Sequence, residues 1–305
     1  MPLALSPLER DGLGNGRSWK GWAVEFRTAE GRQRYDDVVA AASGSVVCLD
    51  FDGVLSPIVD DPTRAFIHPD AHDALLSLLR TFRAVAVVTG RPAEQVRELG
   101  RLDDLADAAG DGVLLVRGQY GNERWDSASR TTQRAEPPEG LAAFQDELSD
   151  LLAEAQADAA FVEDKGLAVA LHTRRLRDPE AALDRLLPVL ERATKAHDLV
   201  LEPGRLVVEV RAPGMHKGLA VRALHQELEP SAMVYVGDDL GDVEAFEAVR
   251  ALSDEEPGDA GMTGLLVCSG STEQQALVER SDLVVDGPSG VMEFLRQLGT
   301  DAANA

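Results

Sequence analysis

The chain has 305 residues, 44% hydrophobic and 27% charged, close to the balance of soluble globular proteins, which excludes wholesale disorder. Thirty Lys and Arg against 53 Asp and Glu leave a net charge of −23, which repels a nucleic-acid backbone, and no basic cluster offsets it. No window reaches the roughly 18 consecutive apolar residues of a membrane helix, so neither nucleic acid nor membrane is an expected partner.

Residues 1–30, with Gly12, Gly14, Gly16, Pro2 and Pro7 and no sustained period, are expected to form a flexible leader without the pattern of a secretory signal. From Ser45 onward, short β-branched runs alternate with amphipathic stretches, the pattern of strands and helices around a parallel sheet. Val46–Leu49 is the first predicted strand. Ala74–Phe82 follows as a helix, Ala84–Val88 as a strand, then a helix after Pro92 and a strand over Val113–Val116. Between Trp125 and Pro213 the texture shifts to Ala-, Leu- and Glu-rich helices (Gly140–Ala157, Pro179–Ala196) and strands (Leu167–His172, Leu206–Val210). The core pattern resumes with Ala232–Val236, Gly264–Cys268 and Asp282–Val285. The expected organisation is a discontinuous α/β core, residues 31–124 and 212–305, with a smaller α/β domain, 125–211, inserted into it. Cys48 and Cys268 lie in apolar runs and are expected to be buried free thiols, which fits a reducing, cytoplasmic location.

Four sites carry chemistry. Asp50 and Asp52 follow the first strand, and Gly53 lets the chain bend so that both can face a ligand at the carboxyl end of a sheet. One can act as nucleophile and the other as acid and base. Thr89, Gly90 and Arg91 end the second strand and lead into a helix, where a hydroxyl and backbone N–H groups can hold phosphate oxygens; Thr89 can equally cap that helix. Lys217 opens an amphipathic helix and could neutralise a phosphate, although taken singly it reads as a surface lysine. Asp238, Asp239 and Asp242 crowd the end of Ala232–Val236; such carboxylates repel one another unless a hard cation such as Mg²⁺ lies among them.

In this order the four sites resemble the motifs of the haloacid-dehalogenase-like phosphatases. The resemblance implies a Rossmann-like core with an inserted cap domain. It also implies Asp50 as the nucleophile, Asp52 as acid then base, and Thr89 and Lys217 on the phosphoryl group. Mg²⁺ would be held by Asp50, the Asp52 carbonyl and Asp238, with Asp239 or Asp242 assisting through water. Phe161–Arg174, Leu49–Ile58, Gly118–Arg124 and Pro203–Arg211 are similar to segments of trehalose-6-phosphate phosphatases. That family implies trehalose 6-phosphate as the small-molecule substrate, a functional link to trehalose-6-phosphate synthase, and substrate contacts from Gly90, Arg91, Glu123, Glu163, Lys165 and Glu209. Glu163 and Lys165, two apart, are expected to face the same side of a strand edge or to form an ion pair. Another sugar phosphate as substrate, and a non-catalytic module that binds sugar phosphate or partners the synthase, are the alternatives. The family usually carries Thr where this chain has Gly241 and His where it has Tyr120.

Overall fold

The computed structural model describes residues 25–59, 61–204, 206–255, 261–270 and 275–305. Residues 1–24 of the expected leader, and Arg205, lie outside the described residues. The strands are β1 (Glu25–Phe26), β2 (Ser45–Leu49), β3 (Ala84–Val88), β4 (Leu114–Gly118), β5 (Glu123–Asp126), β6 (Thr132–Arg134), β7 (Phe161–Asp164), β8 (Ala168–His172), β9 (Val200–Gly204), β10 (Val207–Arg211), β11 (Ala232–Gly237), β12 (Thr263–Gly270) and β13 (Leu283–Asp286). The α-helices are α1 (Ala29–Ala40), α2 (Ala71–Leu79), α3 (Ala93–Gly100), α4 (Leu102–Ala109), α5 (Glu139–Glu154), α6 (Pro179–Ala196), α7 (Lys217–Leu228), α8 (Val243–Glu255), α9 (Gln275–Arg280) and α10 (Gly287–Ala303).

Nine strands form one sheet in the order β1-β13-β12-β11-β2-β3-β4-β5-β6. The six from β13 to β4 run parallel, and their Val-, Leu- and Ala-rich sequences are buried because helices cover both faces. From β2 the chain steps outward through β3 and β4, and from β11 it steps the opposite way through β12 and β13. The order therefore reverses between β2 and β11, the switch point where open α/β sheets take ligands at their carboxyl ends. Asp50 follows β2 and Asp238 follows β11, side by side across that point.

A second, antiparallel sheet, β7-β8-β10-β9, carries α5 and α6 on one face. Period-2 alternation explains its two sides. Val169, Leu171, Val208 and Val210 point into the core shared with α5 and α6. Glu163, His172, Val207 and Glu209 belong to the opposite face, and the first three line a cavity against the main sheet.

Two boundaries differ from the sequence reading. The main sheet continues past residue 124: β5 pairs antiparallel with β4, and β6 with β5, so Trp125, where the inserted domain was expected to begin, is buried in the main core. The second sheet starts only at Phe161, after α5. At the other end, residues 25–30 of the expected leader are structured. Glu25–Phe26 pairs with β13, and Thr28 caps α1 through the Gly31 N–H. Cys48 and Cys268 are buried free thiols, and among the described residues no helix is long and apolar enough to cross a membrane.

Candidate active site

The Asp50 N–H donates to the Val236 carbonyl at 3.0 Å, which stitches the end of β2 to β11 and fixes where the side chain begins. Its Oδ1 accepts the Phe51 N–H at 2.6 Å and its Oδ2 accepts from Lys217 Nζ at 2.7 Å. Lys217 is thus not a surface residue. It is 5% exposed, at the first position of α7, and also donates to Asp242 Oδ1 at 2.8 Å. Asp242 in turn accepts from the Tyr235 hydroxyl at 2.9 Å and from the Asp238 and Asp239 N–H groups at 3.0 and 3.3 Å. Both its oxygens are therefore engaged by protein donors, and it orients the loop. Asp239 caps the short turn that follows, with its Oδ1 on the Gly241 N–H at 2.9 Å.

Asp50, Asp238, Asp239 and Asp242 each offer a carboxylate oxygen, and these atoms lie within 4.8 Å of one another. Gly53 makes this crowding sterically possible: its φ is +70°, and a Cβ there would stand 2.0 Å from Asp238 Oδ2. Burial, then the charges of Asp239 and Asp242, push the Asp238 carboxyl up to about 8. Burial also raises Asp50, with Lys217 opposing and Asp242 and Asp238 adding to the rise. For Lys217, burial disfavours the charge, but Asp242 and Asp50 outweigh it and hold the ammonium well above its usual range. Four clustered carboxylates thus meet one ammonium bonded to two of them. Their hard oxygen donors and surplus negative charge fit a divalent cation.

The protonation of Asp238 has a consequence for stability. An unfolded Asp titrates near about 3.9, so between about pH 4 and 8 the metal-free fold holds a proton that the unfolded chain has lost. Stability of the metal-free protein should fall as pH rises through that window. A bound divalent cation replaces the proton, so the rise in melting temperature on adding Mg²⁺ is expected to be larger at pH 8 than at pH 5. Calorimetry at both values checks this, and a shift that is the same at both would contradict the assignment of the cluster.

Asp52 stands at the cavity mouth, forked by Arg91 with Nε to Oδ2 at 2.6 Å and Nη2 to Oδ1 at 2.8 Å. Thr89 is buried and accepts the Arg91 N–H at 3.2 Å, so its hydroxyl shapes the loop before α3; Pro92, not Thr89, occupies the cap position of that helix. Thr89, Gly90, Arg91, Asp50, Asp52 and Lys217 line a cavity of about 330 Å³ together with Glu163 and His172 of the second sheet and Lys165 of its β7–β8 turn. Glu163 and Lys165 face the same cavity, yet they do not pair with each other. Glu163 accepts from His172 Nε2 at 2.9 Å, and Lys165 Nζ donates to Glu209 Oε2 at 2.5 Å. The His172 bond lowers the Glu163 carboxyl, with burial opposing and Lys165 and Arg91 helping. A larger outer chamber, about 700 Å³, continues past Ile58, Phe161 and Arg175 between the two sheets.

Two expected substrate ligands are absent from the cavity lining: Glu209, whose oxygens are held by Lys165 and Tyr120, and Glu123, which lies elsewhere. Glu123 is 1% exposed, accepts the Ala93 N–H at the start of α3 at 2.6 Å, and pairs with Arg134. Its carboxylate caps a helix and is absent from the cavity lining. Conversely, His172, Gln95 and Tyr120 line the cavity and were not among the candidates. Alternation along Ala168–His172 carried a signal for His172, which shares a sheet face with Glu163 through the Phe161↔His172 pairing.

A parallel core reversing at the carboxylate cluster, with a separate sheet inserted above it, defines the haloacid-dehalogenase-like fold. A family model described as trehalose-phosphatase matches residues 48–279, and the chain belongs to that family. An uncharacterized glycosyl hydrolase of Mycobacterium tuberculosis is 32% identical over 85% of this chain, which spans only 18% of that relative's length. Trehalose-phosphate phosphatase B of Arabidopsis thaliana is 28% identical over 97% of this chain and 77% of its own. The C-terminal domain of trehalose-6-phosphate phosphatase from C. albicans superposes with a TM-score of 0.71 at 19% identity, covering 91% of this chain and 99% of that domain.

Proposed function

We propose that this chain hydrolyses trehalose 6-phosphate to trehalose and phosphate, the last step of trehalose biosynthesis, in a Mg²⁺-dependent reaction in the cytoplasm. The observation that carries this reading is one cavity shared by Asp50 with its Lys217 and by the polar residues Glu163 and Lys165 of the inserted cap. The anionic end of a sugar phosphate fits the first pair, and its hydroxyls fit the second. The link to trehalose-6-phosphate synthase then runs through the shared sugar phosphate.

Asp50 attacks phosphorus as the bond to the sugar oxygen breaks, and Asp52 gives that oxygen its proton. Asp52 then takes a proton from the water that cleaves the aspartyl-phosphate, which releases phosphate and restores Asp50. Lys217 and the Thr89–Arg91 loop hold the phosphoryl oxygens. Because Arg91 forks onto both Asp52 oxygens, proton delivery requires its guanidinium to turn onto the incoming substrate. Mg²⁺, held by Asp50, Asp238 and the Asp52 carbonyl with help from Asp239 or Asp242, would neutralise charge on the phosphate when bound. The cap excludes bulk water.

Lys165→Ala is expected to raise KM for trehalose 6-phosphate about tenfold or more, the effect of one charge-assisted hydrogen bond, and to change KM for p-nitrophenyl phosphate much less. Steady-state phosphate release measures both. Equal effects on the two substrates would argue against sugar recognition by the cap.

A further inference from the structure

Tyr120 occupies an unusual position between the two sheets. It follows β4 in a short turn with φ 60° and ψ 27°, the left-handed region that a tyrosine rarely adopts. Its backbone is tied to the phosphate loop. The Tyr120 N–H donates to the Thr89 carbonyl at 3.0 Å, and the preceding Gln119 N–H donates to the Arg91 carbonyl at 2.9 Å. Its side chain belongs to the other domain. The hydroxyl donates to Glu209 Oε1 at 3.2 Å, and the Arg211 guanidinium lies over the ring at 4.3 Å from its centre, both on β10. Glu209 holds Lys165 through its other oxygen.

The neighbours accommodate this bridge. A Cβ at residue 90 would stand 2.8 Å from the Tyr120 hydroxyl, so glycine there leaves the phenol its place. Gln119 adds a second tie, with Nε2 donating to the Lys165 carbonyl at 3.2 Å. Burial, then the charge of Glu209, push the phenol above its usual range, so it stays a donor at any physiological pH.

We propose that Tyr120 is a positioning residue that couples the phosphate loop to the cap: its backbone is fixed to Thr89, and its hydroxyl and ring set Glu209, and through it Lys165, over the substrate. One rigid residue then registers the phosphate-holding and sugar-holding halves of the site. The inference rests on the sugar-phosphate phosphatase reading.

The test is a double-mutant cycle of Tyr120→Phe and Glu209→Gln, with wild-type activity as its control. Tyr120→Phe keeps the ring over Arg211 and removes only the hydroxyl. It is expected to raise KM for trehalose 6-phosphate about tenfold with a smaller change in kcat, and to affect p-nitrophenyl phosphate less. In the Glu209→Gln background the same change should cost less than half as much, on a logarithmic scale, because the coupling runs through Glu209. Additive losses, equal losses on both substrates, or no loss in Tyr120→Phe would overturn the proposal. If the unaltered protein releases no phosphate from trehalose 6-phosphate but does from p-nitrophenyl phosphate, it is the substrate reading that fails; the cycle is then read on whichever sugar phosphate from a panel is turned over.

Discussion

Asp50→Asn is expected to lower kcat for phosphate release by roughly four orders of magnitude or more, the scale on which removal of a covalent nucleophile acts. The substitution is close to isosteric. The amide oxygen can still accept the Phe51 N–H, and the backbone bond to Val236 is untouched. It also removes one negative charge from a cluster in which burial and neighbouring carboxylates already disfavour ionisation of Asp50. Lys217 loses one of its two partners but keeps Asp242. The melting temperature of the metal-free variant should therefore stay within a few degrees of the parent, while substrate still binds. This separates loss of the nucleophile from loss of the fold. Full turnover by Asp50→Asn would remove Asp50 from the reaction.

Lys217→Met has the opposite character, with a large effect on stability as well as on turnover. Methionine fills a similar volume without the charge, so packing at the start of α7 is kept. Asp50 and Asp242 then face each other across a buried site without the ammonium that is bonded to both at 2.7 and 2.8 Å. Breaking a buried ion pair by removing one partner costs about 3–5 kcal/mol. The loss should be measurable by urea unfolding in chelator at pH 7.5, and should shrink at pH 5 as Asp50, whose ionisation burial already disfavours, takes up a proton. Added Mg²⁺ should recover part of it. Turnover is expected to fall about 10²- to 10³-fold through lost stabilisation of the phosphoryl charge. Stability within about 1 kcal/mol of the parent would show that Lys217 is not what neutralises the cluster.

The carboxylates were legible because each ends an apolar run. Leu49-Asp50 and Val236-Gly237-Asp238 are places where a buried strand stops at charge, and only a sheet edge or a site tolerates that. Their adjacency required knowing that β2 pairs with β11, a contact between segments almost 190 residues apart that no local pattern encodes. The domain boundary differs from the sequence pattern for a related reason. The β5–β6 hairpin is short, with β6 exposed, so its composition looks unlike the core it extends; pairing decides its membership. Glu123 illustrates the limit of residue type. A carboxylate near a recognised segment reads as a ligand, but this one accepts one orphan N–H of α3, that of Ala93, and is buried there. Tyr120 shows the reverse: its partners Glu209 and Arg211 lie on a strand far along the chain, and only the folded arrangement gives the hydroxyl a function.

The most direct measurement is phosphate release from trehalose 6-phosphate by the unaltered protein, with Mg²⁺ and again after chelation. Release with Mg²⁺ at a kcat/KM of about 10⁴ M⁻¹s⁻¹ or higher, and its loss in chelator, is the expected result. No release in the presence of Mg²⁺, or equal release in chelator, would contradict a Mg²⁺-dependent phosphatase built on Asp50.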